Sequence, residues 1–228
     1  MSLVLIGHGR MGRLVEEYAG VHGLTIAGIV TGATGPGVLD SGDLRDVDAV
    51  VDFSVGSAVK DNLARVARRG WNMVIGTTGW QADEAECRAL AERAGIGVIV
   101  SANFSIGMNV FRRIAEDGAR RFTTMRDVGA WIHETHHQAK KDAPSGTALM
   151  LKSAMEQAGY PRKIDVSSTR AGSIPGTHEV GFDAATETIT LTHTVRDRGV
   201  FAHGALEAAR WIVGRRGRFT MDDMINSW

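Results

Sequence analysis

This sequence is poor in the features that mark secreted and membrane proteins. Its 228 residues include a single cysteine, Cys87. No disulfide can therefore form within the chain, and an oxidising compartment is not implied. No run of eighteen apolar residues is present, which argues against a membrane span. The first apolar run has no charged region before it and is interrupted by Gly7, unlike a signal peptide. We therefore expect a cytoplasmic protein, with no membrane partner.

An excess of charge of either sign is also missing. Lys and Arg together number 26, as do Asp and Glu, so the formal net charge is zero. A nucleic-acid-binding protein needs a basic face to neutralise phosphates, so we expect no nucleic-acid partner. The short basic cluster at 215–218 is interpreted as a solvated helix end.

The first hundred residues alternate short apolar runs with amphipathic stretches, a pattern typical of a parallel sheet covered by helices on both faces. The predicted strands are Leu3–Ile6, Thr25–Val30, Ala49–Phe53, Met73–Ile75 and Gly97–Val100. The predicted helices are Met11–Val21, Ser57–Arg69 and Ala82–Ala94. The Gly- and Asp-rich segment Thr31–Asp43 is predicted to be a loop.

The pattern changes after Asn103 and indicates a smaller α+β block. Helices are predicted at Gly107–Arg121 and Ser145–Ala158, and strands at Asp127–Glu134, Ile164–Thr169, Thr177–Phe182 and Thr186–Val195. The last strand alternates strictly, which predicts a sheet with one face buried and a second face available for self-association. A final helix is predicted at Ala202–Val213.

A dinucleotide fingerprint opens the chain. Residues 7–12 match G-x-G-x-x-G between a predicted strand and a predicted helix, where glycines allow a pyrophosphate to approach the backbone at the helix start. The cofactor-binding candidates in this motif are Gly7, His8, Gly9, Arg10, Met11 and Gly12.

Two further loops follow predicted parallel strands, and ligands bind at this end of such sheets. Their cofactor-binding candidates are Gly76, Thr77, Thr78, Ser101, Ala102, Asn103 and Phe104. No carboxylate follows Val30, where one would hold the ribose 2′-hydroxyl of NAD and repel the phosphate of NADP. The residues therefore leave both NADH and NADPH open.

A polar cluster at 134–148 combines groups suited to protonating an anionic substrate. His136 and His137 can transfer protons near neutrality, and Lys140 offers a fixed charge. Asp142 can cap the helix that follows, and Gly146 and Thr147 then present free N–H groups to a carboxylate. Together with the fingerprint, this set favours a reductase.

The same segment satisfies H-E-x-x-H through His133, Glu134 and His137, which leaves a zinc hydrolase as an alternative. That site requires a helix, because both histidines must share one helical face. The residues before Glu134 look more like a strand, so we predict no metal site. A non-catalytic nucleotide-binding sensor is a third hypothesis, but it would not need Lys140 and the helix-start Gly-Thr pair.

The segment Glu134-x-His136-His137-x-x-Lys140-x-Asp142-Ala143-Pro144-Ser145-Gly146-Thr147-Ala148 closely resembles the signature of the 4-hydroxy-tetrahydrodipicolinate (dihydrodipicolinate) reductase family. Further segments resemble motifs of the same family and occur in the family's order along the chain, at 7–13, 76–79, 101–109, 170–172 and 201–205. Many family members carry an acidic residue after the second strand, which this chain lacks.

The resemblance implies an α/β fold, with a Rossmann-type parallel sheet domain at 1–106 and 199–228 and a smaller α+β substrate-binding and tetramerisation domain at 107–198. It implies NADH- or NADPH-dependent reduction of a cyclic dicarboxylate in diaminopimelate and lysine biosynthesis, by a homotetramer. The implied catalytic residues are His136 as acid/base group and Lys140 as proton donor. The implied substrate-binding residues are His137, Gly146, Thr147 and Arg198.

Overall fold

A computed structural model describes residues 1–228 and divides them into two compact units. Unit 1 comprises Met1–Ile106 and Gly199–Trp228, and unit 2 comprises Gly107–Arg198. The strands are β1 Ser2–Ile6, β2 Thr25–Val30, β3 Ala49–Asp52, β4 Asn72–Ile75, β5 Gly97–Val100, β6 Gly129–His136, β7 Ile164–Arg170, β8 Thr177–Asp183, β9 Thr188–Thr194 and β10 Gly217–Phe219. The α-helices are α1 Arg10–Ala19, α2 Val59–Arg68, α3 Glu84–Ala94, α4 Ile106–Arg121, α5 Gly146–Gln157, α6 Gly199–Ile212 and α7 Met221–Asn226.

Unit 1 is built on a six-stranded parallel sheet in the order β10-β5-β4-β3-β1-β2. Its central strands are continuous Val, Ile and Leu runs because both faces of the sheet are buried. Helices α2 and α3 pack on one face, and α1, α6 and α7 pack on the other. The predicted Rossmann-type α/β fold is confirmed.

The structure around the basic cluster at 215–218 differs from the prediction of a solvated helix end. Helix α6 ends at Ile212, and Gly217–Phe219 forms a sixth strand beside β5 instead of a solvated helix end. Arg218 in that strand forms an ion pair with Glu84. A three-residue strand is too short for a periodicity to show in the sequence. The predicted loop at 31–43 contains one 3-10 turn, Pro36–Asp40.

Unit 2 contains a four-stranded mixed sheet in the order β7-β6-β8-β9. Strands β6 and β7 are parallel, and the other two pairs are antiparallel. Helices α4 and α5 cover one face of this sheet and bury residues such as Ile132, Val180 and Leu151. The predicted smaller α+β block is therefore present.

The other face of the unit 2 sheet is open. It carries Trp131, whose ring lies over Gly181 so closely that any side chain there would collide with it. It also carries the threonine row of β9. Because β9 is an edge strand, its apolar row is less buried than the sequence predicts, and Ile189 is 45% exposed. No helix in the structure is both long enough and apolar enough to cross a membrane.

Candidate active site

The carboxyl ends of four parallel strands lie in one row at an edge of the unit 1 sheet. Ile6 pairs in register with Asp52, Asp52 with Ile75, and Ile75 with Val100. The loops that follow these residues therefore leave the sheet at the same edge. Ligands of open α/β sheets bind at this edge.

A crevice of about 610 Å³ opens beside the first of these loops. The lining residues are Ile6, Gly7, His8, Gly9, Val30, Thr31, Gly32, Pro36, Phe53, Ser54, Val55, Ala58 and Asn62. Gly7 has a φ of 88°, and a Cβ at this position would lie 2.4 Å from the Phe53 carbonyl oxygen. A Cβ on Gly12 would lie 2.0 Å from the Gly7 carbonyl oxygen. Only glycine fits at either position, and the backbone is left open to a ligand.

Helix α1 starts directly at this crevice. Its N-cap residue is Gly9, which has no side chain to bond the first N–H groups. The partial positive charge of a helix N-terminus attracts phosphate. The crevice, the glycine turn and the uncapped helix together fit a dinucleotide.

The predicted cofactor residues of the loops after β4 and β5 do not line the crevice, but Gly76 and Phe104 pack against Phe53, which does. Gly76 packs under the Phe53 ring, where a Cβ would lie 2.0 Å from a ring carbon. Phe104 is buried and meets Phe53 edge to face, with ring centroids 6.2 Å apart. Ser101 and Asn103 form a tight turn in which the Ser101 Oγ accepts from the Asn103 N–H at 3.0 Å.

Asp52 is a buried residue that the sequence analysis did not single out. Its carboxylate accepts hydrogen bonds from the Ser54 N–H at 2.8 Å, the Thr77 hydroxyl at 2.9 Å and the Asn62 side-chain amide at 3.0 Å. It thus joins the loops after β3 and β4 to helix α2. Its place at the end of a buried strand is the signal that could have identified it.

The loop after β2 offers hydroxyl groups instead of a carboxylate. The Thr34 hydroxyl accepts from the Thr31 N–H at 2.8 Å, and the Thr31 hydroxyl accepts from the Thr34 N–H at 3.1 Å. Thr31 and Gly32 line the crevice. Arg10 and Arg13 are exposed on α1.

In unit 2, the predicted acid/base residue His136 ends strand β6 and is 8% exposed. Glu134 lies two residues earlier and therefore on the same face of the strand. Glu134 is fully buried. Its Oε1 accepts from the Ser145 N–H at 2.8 Å, the Ser168 hydroxyl at 2.7 Å and Arg170 Nη2 at 2.6 Å.

These donors determine the charge of Glu134. Burial alone would raise its pKa, but the hydrogen bonds from Ser145, Arg170 and Ser168 hold the pKa at about 2. The carboxylate is therefore ionised throughout the neutral range. Its Oε2 lies 3.4 Å from His136 Nδ1 and 3.5 Å from His178 Nε2.

His178 on β8 is a second histidine at this site, absent from the predicted set. It is 3% exposed, and its ring stands edge to face against His136 with centroids 5.0 Å apart. Burial and the neighbouring His136 lower the pKa of His178 to about 4. Burial also lowers the pKa of His136, with Lys140 and Arg170 acting in the same direction and Glu134 and Asp142 opposing them.

Lys140 and the start of helix α5 complete the cluster. Lys140 Nζ donates to both carboxylate oxygens of Asp142, at 2.8 and 2.9 Å. Ser145 is the N-cap of α5, and its hydroxyl accepts from the Ala148 N–H at 3.2 Å. The Asp142 carboxylate interacts mainly with Lys140 and also with the Gly146 N–H, and both lower its pKa. Gly146 and Thr147 are the first two residues of α5, and Gly146 is exposed.

The remaining predicted substrate residues are His137 and Arg198. His137 follows β6 and is half-buried. Arg198 is the last residue of the unit, and its side chain is exposed.

The zinc pattern at 133–137 does not form the helix that it requires. Residues 129–136 are a strand, and His133 Nδ1 lies 2.8 Å from the Ser167 hydroxyl on the open face of the sheet. The zinc hydrolase hypothesis is therefore wrong. Glu134, His136 and His178 do bring ligand atoms within 4.8 Å of one another. Arg170 already compensates the Glu134 charge, which disfavours a cation there.

Comparison with known proteins identifies the family. The family model for the N-terminus of dihydrodipicolinate reductase matches residues 1–104. The family model for the C-terminus of the same enzyme matches residues 107–225. The chain belongs to the dihydrodipicolinate reductase family. Family members are NAD(P)-dependent oxidoreductases, and so is this chain.

Individual relatives agree with this assignment. The 4-hydroxy-tetrahydrodipicolinate reductase of Rhodopseudomonas palustris (strain TIE-1) is 37% identical over 99% of this chain and 97% of its own length. That of Methanoregula boonei is 37% identical over 78% of this chain and 74% of its own. A structure of dipicolinate-bound dihydrodipicolinate reductase from Paenisporosarcina sp. TG-14 has the same fold, with a TM-score of 0.81 and 19% identity over 96% of this chain and 97% of that one.

Proposed function

We propose that this dihydrodipicolinate reductase family member reduces 4-hydroxy-tetrahydrodipicolinate to tetrahydrodipicolinate in diaminopimelate and lysine biosynthesis. The observation that supports this most strongly is the polar cluster at 134–148, which holds two proton-transfer groups beside an open helix N-terminus. The reaction adds a hydride and a proton to the ring and releases water. We place it in the cytoplasm, where it draws on dissolved nicotinamide dinucleotide.

The crevice of unit 1 would hold the cofactor. Gly7, Gly9 and Gly12 would place the pyrophosphate on the first N–H groups of α1. Bound NADH or NADPH supplies the hydride. Since the loop after β2 has no carboxylate to repel a 2′-phosphate, we propose that either dinucleotide serves.

The cluster of unit 2 would hold the substrate. The N–H groups of Gly146 and Thr147 suit one carboxylate, because a helix N-terminus binds anions. The cations of Lys140 and Arg198 and the ring of His137 suit the rest of a dianionic ligand. The Paenisporosarcina reductase binds dipicolinate, a cyclic dicarboxylate of this kind.

His136 and Lys140 would control protonation. His136 lies at the end of β6 with its Nδ1 toward Glu134, which leaves Nε2 to exchange a proton with the substrate. Lys140, held by Asp142, would act as donor to the same substrate. His136 is the last residue of β6 and Lys140 lies in the loop that follows, so they would serve one protonation event.

We also propose that the protein is a homotetramer assembled through the open face of the unit 2 sheet. That face combines the half-buried Trp131 with the threonine row of β9. An open sheet face beside an exposed edge strand is typical of a surface that pairs with another chain.

Steady-state kinetics with NADH and NADPH test the assigned residues. His136→Gln should lower kcat by roughly 10²- to 10⁴-fold, the usual contribution of general acid–base catalysis, without weakening cofactor binding. Lys140→Ala should lower kcat and raise KM, and the double variant should be less than additive.

Lys141→Ala is the matched control, because Lys141 is the exposed neighbour of Lys140. It should retain wild-type turnover. Wild-type turnover in folded His136→Gln or Lys140→Ala would show that the wrong residue is assigned.

A further inference from the structure

We propose that Glu134 is a positioning residue that fixes His136 with its proton on Nδ1, so that Nε2 is the atom facing the substrate. The proposal rests on the acid–base role of His136 proposed above and explains how the chain prepares that ring. Glu134 is fully buried beside His136, so it would act on the substrate through that ring.

Hydrogen bonds to one oxygen orient the Glu134 carboxylate. Three donors from three separate segments converge on Oε1: the Ser145 N–H, the Ser168 hydroxyl and Arg170 Nη2. This leaves Oε2 pointing at the rings of His136 and His178, with no other partner.

The neutral His136 ring can carry its proton on Nδ1 or on Nε2. An ionised carboxylate offers only lone pairs, so a hydrogen bond across the 3.4 Å gap requires the proton on His136 Nδ1. In the structure, Glu134 Oε2 and His136 Nδ1 are both buried without a hydrogen-bond partner, and a proton on Nδ1 would turn their 3.4 Å contact into a hydrogen bond. The neutral ring then carries its lone pair on Nε2. A proton taken up there would make an imidazolium that Glu134 stabilises through its charge.

Neighbouring residues also pack against the His136 ring and restrict its movement. Gly176 lies against the other edge of His136, where a Cβ would be 3.1 Å from Nε2. The His178 ring closes a third side. His178 is itself held at Nε2 by the Ser145 hydroxyl at 3.3 Å. The imidazole is therefore confined on several sides.

Charge around the ring gives the proposal a pH signature. The titratable and charged groups facing His136 are Glu134 on its own strand, Arg170 on β7, His178 on β8, and Lys140 and Asp142 in the following loop. Burial lowers the pKa of His136, Lys140 and Arg170 lower it further, and Glu134 and Asp142 oppose the shift. Without the Glu134 charge, the pKa of His136 should fall further. If turnover requires protonated His136, kcat declines as the pH rises through the pKa of His136. In a variant without the Glu134 charge, this decline should therefore occur at lower pH than in the wild type.

Glu134→Gln tests the role of Glu134 directly. The amide oxygen can still accept from the three donors, but the amide nitrogen now donates toward His136 and requires a lone pair on Nδ1. Nitrogen-15 spectra of histidine-labelled protein, with His136 assigned by comparison with His136→Gln, should show Nδ1–H in the wild type and Nε2–H in Glu134→Gln. We expect kcat to fall about 10²-fold or more, as when a catalytic histidine is held in the wrong tautomer, with KM little changed.

Glu156→Gln is the matched control, since it makes the same chemical change at an exposed position of α5. Its tautomer, pH profile and turnover should be those of the wild type. The proposal fails if wild-type His136 carries its proton on Nε2, a measurement that needs no variant to fold. It also fails if folded Glu134→Gln keeps the wild-type kcat and pH profile.

These results are distinguishable from failure of the acid–base assignment. Wild-type turnover in His136→Gln would reject that assignment whatever the tautomer. Loss of turnover in His136→Gln, combined with an unchanged Glu134→Gln enzyme, would reject the role of Glu134 alone.

Discussion

Single side chains in the buried cluster of unit 2 connect the site to the acid stability of the protein. Burial and His136 lower the pKa of His178 to about 4, well below the value near 6.5 of an unfolded histidine. The unfolded chain therefore binds a proton in this pH range that the folded chain does not. Burial shifts the pKa values of His136 and His193 in the same direction.

We expect the free energy of unfolding to decrease as pH falls from about 6.5 to 4, with His178 alone contributing up to about 3 kcal/mol. Stability from the ionised Glu134 is lost in a lower window, between its unfolded pKa and about 2. Urea unfolding followed by circular dichroism at several pH values measures both. His178→Gln should flatten the upper window. His133→Gln, on the open face of the sheet, should not, and an equally steep slope in both variants would contradict the assignment to His178.

At the cofactor crevice, Gly9→Glu should weaken binding of NADH and NADPH at least about tenfold. Gly9 lines the crevice at the start of α1, and the position has open space for a side chain, so the fold should persist. A carboxylate there would repel the pyrophosphate that the helix start attracts. Gly20→Glu, at the equally open far end of α1, is the control. Calorimetric titration that finds equal affinities for both variants would argue against this site.

At the scale of elements, Asp52 connects the loops after β3 and β4 to helix α2 through its hydrogen bonds. Asp52→Ala would leave the buried Asn62 amide and Thr77 hydroxyl without this acceptor. We expect a loss of about 2 to 4 kcal/mol in the free energy of unfolding, together with weaker binding of both dinucleotides. Asp43→Ala, in the exposed loop after β2, is the control. Urea unfolding and calorimetric titration with both dinucleotides measure these effects in the two variants. An unchanged free energy of unfolding in Asp52→Ala would show that the Asp52 hydrogen bonds do not stabilise the fold.

Secondary-structure elements could be predicted where burial produces a long hydrophobic pattern in the sequence. They could not be predicted where the structure depends on a few local contacts. The strands of unit 1 from β1 to β5 follow from continuous apolar runs between amphipathic helices. Strand β10 has three residues and no such pattern. The start of α5 was predicted close to its position, but the capping side chain was not, because Asp142 and Ser145 both suit that role. In the structure Ser145 is the N-cap, and Asp142 binds Lys140.

The same limit applies within the site. Glu134 and His136 are two residues apart on a strand, so their shared face follows from the pleat. His178, Ser168 and Arg170 come from other strands, and only the order β7-β6-β8 brings them to Glu134. A single sequence does not specify that order.

At the scale of the whole molecule, the proposed tetramer should depend on the open face of unit 2. Thr190 lies at the middle of β9, opposite Gly181, on the face that carries Trp131. Thr190→Glu would place an unpaired charge in an interface there and should lower the mass measured by light scattering at micromolar concentration. Thr124→Glu, an exposed position outside the sheet, should not. A wild-type protein that is monomeric in this experiment would rule the tetramer out.

The division of the chain into units also sets an order of events during synthesis. Unit 2 is inserted between the two segments of unit 1, so α6 is translated only after all of unit 2. Until then, the sheet face formed by Leu3, Leu5, Val51 and Val74 lacks the residues of α6 that cover it. A nascent chain halted near residue 198 would expose this apolar surface, which makes such an intermediate a target for chaperones and a source of aggregation. Unit 2, by contrast, is complete before the last segment of unit 1 leaves the ribosome.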